Sequence, residues 1–324
     1  MKTQLELWDL DPVGSFAQFV QSLDFIETSS RQVDQERKKP LSKQSALVYR
    51  TMFGKYARWL SSRGTAFSRA SHYELLMFIE LGSVVGNKRI PDLNSKISYR
   101  YLRLIERCYL YLKVSPNPAQ HAIFGALKQQ RYFKDKSMVT LTSEQLDRFV
   151  AALPSSTEPS EWRRRRDRAM QLVMLFGGLR VSEVIGMLMT EIGRQAEMDG
   201  SLQLHLTTEF KSQSSYEHST FLRTPAVEDV LAWIAERAAL PITGDLAFPS
   251  YNGSPLDQAT VYRHVKATLR AAKIELPRSG GRTLRNTFAV QELKQGTQKP
   301  ELTKQLGLAL ERSTDTYEMA GRRE

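Results

Sequence analysis

The sequence predicts a mainly α chain with one small β-hairpin (an α+β chain), divided into a helical N-terminal part and a larger mixed part. Three observations carry this. Apolar residues recur at three- and four-residue spacing through most of the chain. Two short runs, 202–208 and 218–223, alternate or are rich in strand-forming residues and are joined by a polar segment. A polar stretch without periodicity, 134–142, separates the two parts.

The elements follow in order. Residues 1–40 carry only scattered apolar positions and close on a polar run, so they read as an N-terminal arm or connector. From Ser42 the residues Ala46, Tyr49, Met52, Phe53, Tyr56, Trp59 and Leu60 share one helical face, and Gly64 ends the run. Arg50, Lys55 and Arg58 fall off that face. A second helix is expected near 71–83. A third, near 95–113, turns Ile97, Tyr101, Leu104, Ile105, Cys108 and Leu112 inward and carries Arg100, Arg103 and Arg107 elsewhere. Pro116 and Pro118 stop it, and a fourth helix is expected to about Tyr132. Domain boundaries are thus expected at 1–40 (arm), 41–134 (helical domain), 135–142 (linker) and 143–324 (second domain). In the last, Thr142 or Ser143 caps a helix over 144–152. The apolar run 169–176 breaks at Gly177 and Gly178, the hairpin follows, and helices are expected over 226–238, 258–272, 283–294 and 301–306, with a short one holding Tyr317.

Composition narrows the function. The chain has 46 Lys and Arg against 35 Asp and Glu, a net charge of +11. Such a field attracts polyanions, nucleic acid foremost, although each basic helix face taken alone also fits a solvated surface. Cys108 is the single cysteine, so no internal disulfide forms, and its apolar setting marks it as a small core residue. The N-terminus lacks the basic start and apolar run of a signal peptide, and no apolar run suggests a membrane span. A cytoplasmic protein without membrane contact is expected.

Four segments of the second half belong together: Gly178, Leu179, Arg180, Val181, Ser182, Glu183; the hairpin tip with Lys211; Arg282 through Ala289, which holds Arg285; and Leu306, Gly307, Leu308, nine residues before Tyr317. Their order and spacing resemble the catalytic domain of tyrosine recombinases, the phage integrase family, from about Leu141 to Tyr317. The N-terminal half resembles, more weakly, the family's core-binding domain. The resemblance implies two domains forming a clamp around DNA. It implies Tyr317 as nucleophile, Arg180 and Arg285 on the phosphate, and Lys211 as general acid. It also implies an acidic residue, Glu183, that orients its arginine or caps its helix. The chemistry is coherent. Two arginines can fork onto the non-bridging oxygens of a phosphodiester with charge-assisted bonds. A free tyrosine, with a pKa of about 10, is phenolate about once in a thousand at neutral pH, and nearby cations favour that form. Its phosphate adduct conserves the energy of the broken bond, so rejoining needs neither nucleotide nor metal, and no cofactor is expected.

Two positions depart from the family pattern. Arg282 stands three residues before Arg285 where histidine is usual, and Leu308 stands after Gly307 where histidine or tryptophan is usual. Asn286 replaces a frequent histidine at a non-catalytic position. None of the five histidines (His72, His121, His205, His218, His264) falls at a motif site, so no general base is visible. Arginine does not deprotonate, so Arg282 adds a phosphate contact rather than a base. The expectation is a slow site-specific recombinase of a mobile element, acting through a 3′-phosphotyrosine in integration, excision or cointegrate resolution. Its partners would be double-stranded DNA with specific sites, bound also by Arg50, Lys55, Arg58, Arg100, Arg103 and Arg107, three further copies in a tetrameric synapse, and an accessory DNA-binding protein. The alternative is a recombinase-like DNA-binding accessory protein with weak or no catalysis. A type IB topoisomerase-like enzyme and a metal-dependent nuclease are further rivals; the sequence holds no metal-ligand spacing.

Overall fold

A computed structural model describes residues 3–28, 41–82, 96–120, 122, 138–207, 217–308 and 311–321. The chain divides into two units, Met1–Asp135 and Lys136–Glu324. Among the described residues the regular structure is helical apart from one two-stranded antiparallel sheet. No helix among them is long and apolar enough to cross a membrane.

The first unit holds six described α-helices: α1 (Gln4–Leu10), α2 (Pro12–Phe19), α3 (Leu23–Glu27), α4 (Lys43–Ser62), α5 (His72–Met77) and α6 (Lys96–Tyr111). Thr3 caps α1 in a reciprocal box with Glu6. Asp11 caps α2, whose first residue is Pro12, where the missing N–H costs nothing. The expected arm over 1–40 is therefore corrected for residues 4–27. Trp8, Phe16, Phe19 and Phe25 are buried among Phe53, Tyr56, Phe67 and Tyr109. Phe16 stacks on Phe53 at 4.2 Å and Trp8 meets the same ring edge-on at 5.6 Å. These helices are too short to show a repeating apolar stripe, which is why the segment reads as scattered. Residues 29–40 lie outside the described residues, as does the expected helix end at 123–132.

The stripe of α4 is buried as its spacing predicts, and Gly64 follows with φ +65°. In α6 the inward line runs through Ser98, Tyr101, Leu102, Ile105 and Cys108, whereas Ile97 points to solvent, so its expected inward position is corrected. Cys108 is fully buried, burial pushes its thiol well above the usual range, and it fills space in the core.

The second unit begins where a linker was expected. Leu141 is buried, and its N–H donates to Thr287 Oγ1 at 2.9 Å. Asn286 Nδ2 donates to the carbonyl of Val139 at 3.2 Å. The end of that segment is thus strapped to the second unit, and the residue in place of a frequent histidine is part of the strap. Next come α7 (Ser143–Ala151), capped by Thr142 with Gln145, then α8 (Trp162–Phe176), α9 (Val181–Ile185), strands β1 (Leu202–Leu206) and β2 (His218–Leu222), α10 (Val227–Ala239), α11 (Gln258–Ala271), α12 (Gly281–Lys294), α13 (Lys299–Gln305) and α14 (Asp315–Gly321).

Helix α8 is the centre of this unit: every residue from Ala169 to Phe176 is buried. The register pairs Leu202 with Leu222, Leu204 with Thr220 and Leu206 with His218. Leu202, Leu204 and Leu206 face the core, while Gln203 and His205 face out, the two-residue alternation of a half-buried strand. Thr220 Oγ1 donates to the carbonyl of Gly177, and the Arg223 N–H to that of Phe176, both at 3.1 Å. The sheet is thereby tied to the end of α8. Arg223 also forms a two-armed ion pair with the buried Glu292 of α12.

Trp8→Ala separates an arm from a core element. We expect a loss of about 3–5 kcal/mol for truncating such a buried ring. Denaturant unfolding of the full chain reads it, and an unchanged midpoint would return residues 4–27 to the role of an appendage.

Candidate active site

Four chain segments converge at the end of α8. The helix stops at Gly177, and Gly178 takes φ +70°, a left-handed conformation open to glycine. A Cβ there would lie 2.4 Å from the Phe288 ring, so the turn passes α12 at a distance no other residue allows. Two residues on, Arg180 precedes α9, and its backbone N–H donates to Glu183 Oε2 at 2.7 Å. Both alternatives for Glu183 are therefore realised: the same carboxylate caps the helix and also pairs with the Arg180 guanidinium. Glu183 is 0% exposed and lies 3.5 Å from the guanidinium of Arg285 as well.

Arg285 stands on α12 and is buried. Its guanidinium donates to the carbonyls of Gly178 and Leu306, each at 2.6 Å. Arg180 reaches the carbonyl of Gly307 at 3.2 Å and keeps 30% of its side chain exposed. The two arginines thus grip successive peptides of the 306–308 segment. Burial pushes the Arg285 guanidinium down from its usual range and Arg180 adds to this. Glu183 and then the nearby Tyr317 hydroxyl pull it back up.

Tyr317 lies on α14 and is half-buried. With Leu308 it covers a small cluster of Phe288, Ala289, Leu302 and Leu306. Leu308 packs where the family pattern has a hydrogen-bonding ring. The tyrosine helix is held from below by Lys299, whose Nζ lies 3.0 Å from Asp315 and 2.6 Å from Glu318. These carboxylates, Glu318 first, hold the Lys299 ammonium above its usual range. Arg282 is exposed in the first turn of α12, one turn before Arg285.

Of the expected site residues, the structure brings together Arg180, Arg285 and Tyr317 and sets Arg282 at the exposed helix start. Lys211 lies outside the described residues, in sequence between β1 and β2. In the first unit Arg50, Arg58 and Arg100 are exposed, and Lys55 is half-buried. Arg103 pairs with Glu106 at 2.6 Å. Arg107 is corrected: its guanidinium donates to the Phe25 carbonyl and Thr28 hydroxyl and covers the Phe25 ring at 3.4 Å, so it holds α3. Sequence spacing missed Lys299, because an ion pair between two short helices leaves no periodic mark. It also missed the backbone carbonyls that hold the arginines, since these carry no residue identity.

Residues 139–322 match the model of the phage integrase family. The chain belongs to that family. It is a tyrosine recombinase, an enzyme that breaks and rejoins DNA at specific sites. Tyrosine recombinase XerD of Shewanella oneidensis is 25% identical over 268 residues, 80% of each chain. Tyrosine recombinase XerH of Helicobacter pylori is 26% identical over 150 residues, 46% of this chain and 39% of that protein. Among solved structures, XerH bound to its difH substrate superimposes with TM-score 0.61 at 16% identity, over 95% of this chain and 93% of that one. The Tn1549 transposon integrase on transposon right-end DNA gives 0.65 at 12% identity, over 94% and 97%. At these identities the two structures share the recombinase's fold.

Glu183→Gln tests the centre of this arrangement. It keeps the shape but removes the charge facing two guanidinium groups, and we expect a loss of about 3–5 kcal/mol in urea unfolding. A loss below about 1 kcal/mol would mean that the carbonyls alone hold the arginines.

Proposed function

We propose that the recombinase cleaves one DNA strand through attack of the Tyr317 hydroxyl on a phosphodiester, leaving a 3′-phosphotyrosine and a 5′-hydroxyl that later reseals or joins a partner strand. The observation that carries this is that Arg180 and Arg285, from distant segments, share one buried carboxylate, with Tyr317 beside Arg285. Arg180 reaches solvent and can turn a face to phosphate; Arg285, fixed on carbonyls, supplies a charge that needs no reorganisation during attack. Arg282 adds a cation at the positive end of α12, where an anion is favoured. Lys211, four residues beyond Thr207 and seven before His218, is assigned to protonate the departing 5′-oxygen.

Double-stranded DNA with specific sites is the substrate, as difH is for XerH, and the exposed Arg50, Arg58 and Arg100 with Lys55 contact its backbone. Two pairs of protomers form the synapse, and the enzyme serves a mobile element in the cytoplasm, a role supported by the fold shared with the Tn1549 integrase. A weak accessory DNA-binder is the second reading, favoured by the apolar packing of Leu308. An accessory DNA-binding protein that bends the site would assist either.

A nicked suicide duplex decides between them. Wild type should form a covalent protein–DNA band in the presence of chelator, and Tyr317→Phe should bind without forming it. Arg180→Lys should slow the band about 10²–10³-fold, the cost of removing one donor from developing charge. No band with wild type would favour the accessory reading. Arg50→Ala, Arg58→Ala and Arg100→Ala should each weaken binding evenly across sequences and lower the salt slope by about 1. Unchanged slopes would move the DNA contact off these faces.

A further inference from the structure

Cleavage by a tyrosine requires that a phenol lose a proton, and the described groups of the site exchange protons poorly at neutral pH. Arg180 and Arg285 are permanent cations, and the Glu183 carboxylate is engaged by both and by a backbone N–H. Both positions where the family pattern has an imidazole hold other residues, Arg282 and Leu308. An imidazole nevertheless reaches the site from another element. His218, first residue of β2, lays its ring directly on Gly307: a Cβ at Gly307 would stand 2.5 Å from His218 Nδ1 and 2.7 Å from its Cε1. Gly307 has φ +52°, and with no side chain it admits the ring.

The location is specific. The Gly307 carbonyl accepts from Arg180, the preceding Leu306 carbonyl accepts from Arg285, and the Leu306 side chain lies in the cluster that Tyr317 covers. The ring therefore rests on the short segment from which both arginines and the tyrosine are positioned. Among the described histidines, His205 pairs with Ser219 and Glu217 on the outer face of the hairpin, His264 lies by Asp167, and His72 belongs to the other unit.

We propose that His218 is the proton-accepting group of this recombinase, a role that rests on the Tyr317 reading above. In cleavage the Tyr317 oxygen bonds to phosphorus and its proton passes to the His218 imidazole. The bond from phosphorus to the 5′-oxygen breaks, and that oxygen takes a proton from Lys211. Rejoining runs the same transfers backwards, so no proton is gained or lost over the cycle. An imidazole, with an ordinary pKa of about 6.5, is suited to both directions near neutral pH. The charged and titratable groups on the elements around β2 are Arg180 at Gly307, Lys299, Glu301 and Lys304 on α13, His205 and Glu217 on the hairpin, and the Arg223–Glu292 pair.

Single-turnover cleavage of the nicked duplex tests this, with wild type, His218→Asn and His218→Ala. As a base His218 acts when neutral, so the wild-type rate should rise about tenfold per pH unit below its pKa and level above it. His218→Asn, which keeps a polar side chain on Gly307, should be at least tenfold slower at pH 7.5 and lose that limb, within the range of general acid–base effects. Added imidazole should speed His218→Ala but not wild type. His218→Asn cleaving at the wild-type rate, or with the wild-type pH limb, overturns the proposal. So does a wild-type profile without the limb, which decides the matter even where His218→Ala fails to bind DNA. No adduct with wild type overturns both readings, whereas an adduct insensitive to His218 removes this one alone.

Discussion

The site is organised by one buried carboxylate. Glu183 cannot be solvated, so its charge must be met by the protein, and it is met from three sides: a helix N-terminus, Arg180 and Arg285. The demand runs both ways. Arg285 is itself nearly solvent-free, and two guanidinium groups this close repel each other unless an anion stands between them. Removing any one member leaves the others with uncompensated charge in a poorly polarisable surrounding, which is costlier than the pair is favourable. The local fold is therefore specified by charge satisfaction as much as by apolar packing.

That constraint accounts for the surrounding backbone. Arg285 must reach past α8 to the Gly178 carbonyl, which demands the left-handed turn and the close passage of α12 against it. Its other arm holds Leu306, and Arg180 holds Gly307, so the chain leading toward the tyrosine is fixed by the same two side chains that face the phosphate in the proposed reaction. The Tyr317 helix, only seven residues long, has no stability of its own. It is retained by the Phe288 and Leu306 cluster on one side and by Lys299 on the other.

Much of this was legible in the sequence because it depends on residue identity at fixed spacing. The hairpin strands, the break at Gly177 and Gly178, and the order of Arg180, Arg285 and Tyr317 are of that kind. Three things were not. The short helices of residues 4–27 hide their periodicity, and only their buried aromatic rings reveal them as core. Arg107 has the sequence setting of a DNA contact, yet it is drawn inward by the Phe25 ring and carbonyl. His218 belongs to no motif, because its relation to Gly307 is a contact between segments 89 residues apart, which spacing along the chain does not encode.

The two departures from the family pattern then acquire one physical sense. Leu308 gives up an imidazole and gains apolar contact under the tyrosine helix, while the ring from β2 occupies the space beside Gly307. Arg282 gives up a titrating group at the start of α12 and gains a permanent charge there. Permanent cations then come from the helical body, whereas the groups assigned to proton transfer, His218 and Lys211, both belong to the hairpin and its loop. Electrostatic stabilisation is independent of pH under this division, so the proton traffic alone sets the pH dependence of cleavage. A change confined to the hairpin would alter that dependence while leaving the arginine framework, with its carbonyl contacts and buried carboxylate, intact.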